Sequence, residues 1–77
     1  PYGYVASGVA GRLLNVDRGA KSINVSRLET VQINVGGKSV SWTFDTFGTA
    51  PFPLSKIISG AEEVTVYVAE NQDHRGG

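Results

Sequence analysis

The stretch TVQINVGGKSVSWTFD, residues 30–45, decides the fold of this 77-residue chain. Apolar and polar residues alternate on both sides of Gly36-Gly37, which is the pattern of two half-buried β-strands. A Gly-Gly pair suits a two-residue hairpin turn, which needs positive backbone φ. The register set by this turn pairs Ile33 with Val40 and Val31 with Trp42. Apolar residues then meet on one face of the hairpin and polar residues on the other.

Three further strands are predicted on either side of the hairpin. They cover RLLNV at 12–16, SINV at 22–25 and EVTVYV at 63–68. In the last of these, the valines are expected to face inward, whereas Thr65 and Tyr67 face solvent. A turn at residues 17–20 joins the first two.

The segment between the hairpin and the last strand has a different pattern. Pro51 and Pro53 bracket Phe52 and argue against a regular strand there. Apolar residues within 54–58 have helical spacing, so we expect one or two helical turns that end at Gly60.

These elements predict a single all-β domain over residues 1–77. We expect a mainly antiparallel fold, a small sandwich or a partly open barrel of four to five strands with one short helix. Residues 1–11 are expected to form a loose amino-terminal arm or a docked edge strand. Residues 71–77 have the composition of a solvated tail.

The composition excludes several classes of function. Seven Lys and Arg balance seven Asp and Glu, which argues against nucleic acid as the main partner and against a polybasic membrane anchor. No apolar run is long enough to cross a bilayer, so we expect no membrane insertion. The chain has no Cys and no Met, so zinc ribbons, iron–sulfur sites, thiol nucleophiles, disulfides and Met-based copper(I) sites are excluded. The first residue is proline rather than methionine, so we expect a processed or truncated chain.

Candidate catalytic groups are few, and the chain is not expected to be an enzyme. His74, the single histidine, lies in the predicted tail, where nothing fixes its position. Asp45 is interpreted as a turn residue rather than a general base. Glu62 and Glu63 are interpreted as a solvated acidic pair.

The aromatic residues divide into core and contact groups. Trp42 and Phe44 lie on the apolar face of the hairpin and are expected in the core. Phe52, between two prolines, is expected to be an exposed contact residue. Tyr2 and Tyr4 in the arm are further candidates for an interface.

Three blocks of the sequence are similar to a known family. They are GKSVSWTFDTFGT at 37–49, FPLSKII at 52–58 and VTVYVAEN at 64–71, preceded by INV at 23–25 and ETV at 29–31. Together they resemble the CzcE family of heavy-metal-resistance proteins. The resemblance implies a periplasmic, homodimeric β protein that binds copper and serves as a metal chaperone, buffer or sensor without catalysis.

The candidate metal ligands are His74, Asp73 and Glu70. One imidazole with one or two carboxylates can hold copper(II) or zinc. The resemblance favours copper, as copper(II) and also as copper(I). It further implies a histidine near the amino terminus, which this chain lacks. The alternative hypothesis is a metal-independent interaction module that dimerises, or docks on a partner, through the arm and the Phe52 loop.

Overall fold

A computed structural model of the chain describes residues 1–70 and confirms an all-β fold with almost no helix. The strands are β1 (Tyr4–Val5), β2 (Arg12–Val16), β3 (Ser22–Ser26), β4 (Thr30–Val35), β5 (Lys38–Thr43), β6 (Phe52–Pro53) and β7 (Thr65–Ala69). One short 3₁₀ turn, Leu54–Lys56, stands where one or two helical turns were expected. Seven strands form rather than the four to five expected, because β1 and β6 have two residues each and are too short to leave a pattern.

The strands form two mixed sheets, which do not close into a barrel within the described residues. The first has the order β1-β5-β4-β2 and the second the order β3-β7-β6. The β1–β5, β4–β5 and β6–β7 pairings are antiparallel, as the expectation of a mainly antiparallel fold requires. The β2–β4 and β3–β7 pairings are parallel. The β2–β4 pairing is parallel because the chain returns through β3, in the other sheet, before it enters β4.

The β4–β5 hairpin has the register that the Gly-Gly turn predicts. Ile33 pairs with Val40 and Val31 pairs with Trp42, while Thr30 pairs with Thr43 on the opposite face. The turn places Gly36 at φ 59°. This left-handed backbone is costly for residues that carry a Cβ, which explains the glycine there.

One hydrophobic core lies between the two sheets. Its five largest fully buried side chains come from both sheets and from the segment between β5 and β7: Val31, Ile33, Phe44, Leu54 and Val66. Along β7, Val66 and Val68 are buried and Tyr67 is exposed, so the predicted alternation is confirmed. Trp42 is half-buried and packs against this core.

The expectation that Phe52 is exposed is wrong. Its side chain is buried, and its ring packs against Tyr2 with the ring centroids 4.5 Å apart. The two prolines also permit a short strand here. Strand β6 lies at the edge of its sheet and pairs only with β7, so the missing N–H of Pro53 breaks no ladder on its other side.

The connection between β3 and β4 is tied to both sheets. Arg27 N donates to Ala69 O at 2.7 Å, and Leu28 N donates to Phe44 O at 2.8 Å. Leu28 adopts φ 73°, the left-handed region that side chains with a Cβ rarely enter. These two tertiary hydrogen bonds hold the backbone in that conformation.

The amino-terminal segment is docked on the hairpin through β1, the edge-strand alternative. The indole Nε1 of Trp42 donates to Tyr2 O at 2.8 Å. Gly3 has φ 116°, and a Cβ built there would lie 2.0 Å from Thr43 O. Only a glycine lets the arm approach β5 this closely.

We expect Gly3→Ala to release the arm and to lower the free energy of unfolding by about 1–3 kcal/mol, because alanine adds both a clash and an unfavourable φ. Urea denaturation followed by Trp42 fluorescence measures the loss of stability. The fluorescence of the folded variant reports the release of the arm, since the indole Nε1 then loses its hydrogen bond to Tyr2 O. Gly8→Ala is the matched control, because a Cβ at Gly8 meets nothing within 4 Å. Equal stability of the two variants would show that the close approach of the arm to β5 does not contribute to the free energy of unfolding.

Candidate metal-binding site

Glu70 follows directly after β7 and is the one candidate ligand within the described residues. Its side chain is 49% exposed, and its Oε1 lies 3.2 Å from Arg27 Nε. Ser26 and Ala69 are register partners, so the end of β3 brings Arg27 beside the end of β7. The fold thus presents this carboxylate at one end of the second sheet, with Arg27 as its cationic neighbour within residues 1–70.

Asp73 and His74 lie outside the described residues 1–70, so their grouping with Glu70 stays a prediction. Within residues 1–70, no group of three or more His, Cys, Asp or Glu side chains could hold a metal ion. A three-ligand site of these residue types therefore needs at least one ligand from outside that range. His74 is the chain's single imidazole.

A second carboxylate near the same strand end is fully engaged in structural contacts. Glu29 binds Arg12 through both oxygens, at 2.8 and 3.0 Å, and its Oε1 also accepts from Ser26 N at 2.9 Å. Arg12 Nη2 donates further to Asn24 O at 2.8 Å, which links β2 of the first sheet to β3 of the second. This contact could not be predicted from the sequence, because Arg12 and Glu29 are 17 residues apart and only the fold brings them together.

Asp45, Glu62 and Glu63 lie in loops or turns and are exposed. Asp45 is exposed in the loop after β5, where Thr46 Oγ1 donates to Gly48 O at 2.6 Å. Glu62 and Glu63 are exposed in the turn before β7, as expected of a solvated pair. Glu62 Oε2 accepts from Gly60 N at 3.4 Å.

Comparison with known proteins connects this geometry with a family. The family model described as "Heavy-metal resistance protein CzcE" matches residues 1–75. The chain belongs to the CzcE heavy-metal resistance family. The predicted resemblance is thereby confirmed, over a span that includes Glu70, Asp73 and His74.

A solved CzcE structure has the same architecture. The apo form of CzcE from C. metallidurans CH34 superposes with a TM-score of 0.75 at 30% sequence identity, covering 92% of this chain and 84% of that chain. Comparison with curated proteins gave no match. CzcE membership supports a general role in heavy-metal resistance.

The described residues of this CzcE family member also bear on membrane insertion. Their helical content is one turn of three residues, and no helix is long and apolar enough to cross a bilayer.

The two arginine contacts at this end of the molecule should differ in strength. We expect Arg12→Ala to lower the free energy of unfolding by about 1–2 kcal/mol, because it breaks a bidentate pair and a bond between the sheets. Arg27→Ala removes one exposed pair and should cost less than about 0.5 kcal/mol. Urea denaturation of both variants measures the difference, and an equal cost would contradict the assignment of Glu29 as the structural carboxylate.

Proposed function

We propose that the chain is a copper-binding accessory of heavy-metal resistance. In this proposal it acts in the periplasm as a metal chaperone, buffer or sensor and catalyses no reaction. The observation that carries the proposal is the family match over residues 1–75, a span that includes the only histidine of the chain. Copper specificity, the periplasmic location and the non-catalytic role are parts of the proposal.

The proposed ligands are the imidazole of His74 and the carboxylates of Asp73 and Glu70. Nitrogen and oxygen donors suit copper(II), and copper(II) binds such sites more tightly than the other divalent first-row metals do. Copper(I) prefers thiolate and thioether ligands, and the chain has neither Cys nor Met. We therefore assign copper(II) as the tighter-bound form and copper(I) as the weaker.

The surroundings of Glu70 fit a carboxylate that can turn towards a metal ion. Its side chain is half exposed, and its ion-pair contact within the described part of the chain is to Arg27. Exposed pairs of this kind contribute about 0–1 kcal/mol, so breaking one costs little of the free energy of metal binding. Glu29 is a poorer candidate, because binding a metal ion would break both its ion pair with Arg12 and its hydrogen bond from Ser26 N.

The first test is a calorimetric copper(II) titration of the full chain and of three variants. We expect His74→Ala to weaken binding at least tenfold, about 1.4 kcal/mol, because it removes the single imidazole. Asp73→Asn and Glu70→Gln should each weaken binding by a smaller factor. Glu63→Gln, an exposed carboxylate before β7, is the matched control and should bind like the unchanged chain.

The outcomes of this titration distinguish an error in the assigned ligands from an error in the proposed copper-binding function. Saturable copper binding that His74→Ala leaves unchanged would overturn the ligand assignment but keep the metal function. No copper binding by the unchanged chain, with a normal circular dichroism spectrum, would overturn copper binding itself. Zinc in a parallel titration should bind more weakly than copper(II).

A second prediction concerns Arg27, which competes for the Glu70 carboxylate. If Glu70 is a ligand, Arg27→Gln should tighten copper(II) binding about two- to fivefold, which corresponds to the free energy of an exposed ion pair. The double variant Arg27→Gln with Glu70→Gln should lose this gain. Tightening that persists in the double variant would mean that Arg27 acts only through its general charge.

We also propose that the chain forms a homodimer, the state that the resemblance implies. Phe47 supports this proposal, because its side chain is fully exposed in the loop after β5. The alternative function, a metal-independent interaction module that uses the arm and the Phe52 loop, involves the same region, because Phe47 lines a cleft together with Tyr2 and Phe52. Sedimentation of the unchanged chain and of Phe47→Ser, with and without copper(II), tests both. A dimer that ignores copper, in a chain that binds none, would favour the alternative.

A further inference from the structure

Two turns from distant parts of the chain lie side by side at one end of the second sheet. β3 and β7 are parallel and Ser22 pairs with Thr65, so the turns that lead into these strands meet at the same end. Thr65 N donates to Lys21 O at 2.9 Å and ties the two strand starts together. We call these segments the β2–β3 turn, residues 17–21, and the β7 turn, residues 60–64.

The two turns enclose a cleft of about 390 Å³, which we call the turn cleft. Pockets that hold small molecules have volumes of about 300–1,000 Å³. Part of the lining is apolar, since Ala61 and Val64 line the cleft and are buried. Gly19 and Gly60, at φ 90° and 93°, form the turn backbone and add no side chain that would fill the cleft.

Charged side chains of both signs line the turn cleft. Arg18 and Lys21 come from the β2–β3 turn, and all the charged residues of the cleft are exposed. Glu62 and Glu63 come from the β7 turn, and Glu62 Oε2 accepts a long hydrogen bond from Gly60 N at 3.4 Å. Among residues 1–70, these four charged side chains form no ion pair. The fold therefore brings two cations and two anions to one cleft without pairing them.

The charges beside the turn cleft keep the two signs in balance. Asp17 lies on the β2–β3 turn and lines an adjoining cleft with Arg18. Lys38 Nζ lies 3.9 Å from the position that a Cβ would take at Gly60, and it donates to Ser59 O at 3.3 Å. One acid and one base are thus added to the two of each sign in the cleft. This balance favours a ligand that carries both charges over a simple anion or a simple cation.

We propose that the turn cleft binds a small zwitterion of the amino-acid class, a free amino acid or a dipeptide with an apolar side chain. Arg18 and Lys21 donate to its carboxylate, and the two glutamates of the β7 turn accept from its ammonium group. Its apolar side chain packs against Ala61 and Val64. Such a ligand spans opposite charges that the fold leaves unpaired among residues 1–70. This function is independent of the proposed copper site.

The test is a titration of the ¹⁵N-labelled, metal-free chain with L-leucine and with L-alanyl-L-leucine, followed by amide chemical shifts. We expect saturable shifts at Gly19 and Gly60 with at least one of the two, and a Kd on the order of 1 mM, because exposed ion pairs each contribute little. Two analogues carry one charge each: 4-methylpentanoate lacks the ammonium group and 3-methylbutylamine lacks the carboxylate. Each should bind about fivefold more weakly than leucine.

Variants of the charged residues test the orientation of the ligand. Arg18→Gln should weaken leucine binding about three- to fivefold and should not weaken binding of the amine, because the arginine contacts the carboxylate. Glu63→Gln should weaken binding of leucine and of the amine but not of 4-methylpentanoate. Lys56→Gln and Asp45→Asn are the matched controls, because both residues are exposed and neither lines the turn cleft, and they should leave affinity unchanged.

Three results would overturn the proposal. One is the absence of shifts with both zwitterions at tens of millimolar. Another is equal affinity for leucine and for its two single-charge analogues, which would mean that only the apolar part of the ligand is recognised. The third is a loss of affinity in Lys56→Gln as large as in Arg18→Gln, which would mean that the overall charge of the chain, rather than the cleft, attracts the ligand.

Discussion

The burial of one side of β4 is the constraint on which the rest of the structure depends. β4 lies between β5 and β2, and Val31 and Ile33 have no solvent exposure. Because successive residues of a strand face opposite ways, burying these two also fixes which residues of both neighbouring strands face the core. A shift of the β4 register by one residue would turn Gln32 towards the core in place of its apolar neighbours. The second sheet then covers this apolar side with Val66.

Charged side chains stabilise the fold mainly at the sheet edges, where an edge strand of one sheet lies beside an edge strand of the other. β2 and β3 are edge strands of different sheets, and Arg12 joins them through Glu29 and Asn24 O. Within the described residues, every buried side-chain nitrogen and oxygen has a hydrogen-bond partner. The two carboxylates differ in availability: Glu29 is bound by Arg12 and by Ser26 N, whereas among residues 1–70 the ion-pair partner of Glu70 is Arg27. This difference, rather than residue type, separates a structural carboxylate from a candidate ligand.

The sequence predicted the strands and the register that depend on a local residue pattern. It did not predict the pairing of strands that are distant in sequence. Alternation and the Gly36-Gly37 turn were enough for β4, β5 and their register. The parallel pairing of β3 with β7 left no local signal, because it is set by the route of the chain between sheets. Phe52 was misassigned because its flanking prolines suggested an exposed loop, whereas an edge strand tolerates them. For the metal site, residue types indicated His74, Asp73 and Glu70, but only the fold revealed the Arg27 contact of Glu70.

The left-handed backbone at Leu28 has a consequence for the order in which the chain folds. The β4–β5 hairpin needs only near neighbours and can form early, whereas β3 must wait for β7, which is distant in sequence. Leu28 gains its hydrogen bond only once Phe44 is in place, and Arg27 gains its own only once Ala69 arrives. The Arg27 hydrogen bond therefore depends on the β3–β7 pairing, whereas the Leu28 hydrogen bond depends only on the end of the hairpin. The short connection at residues 27–29 thus ties the local part of the fold to the part that joins distant residues.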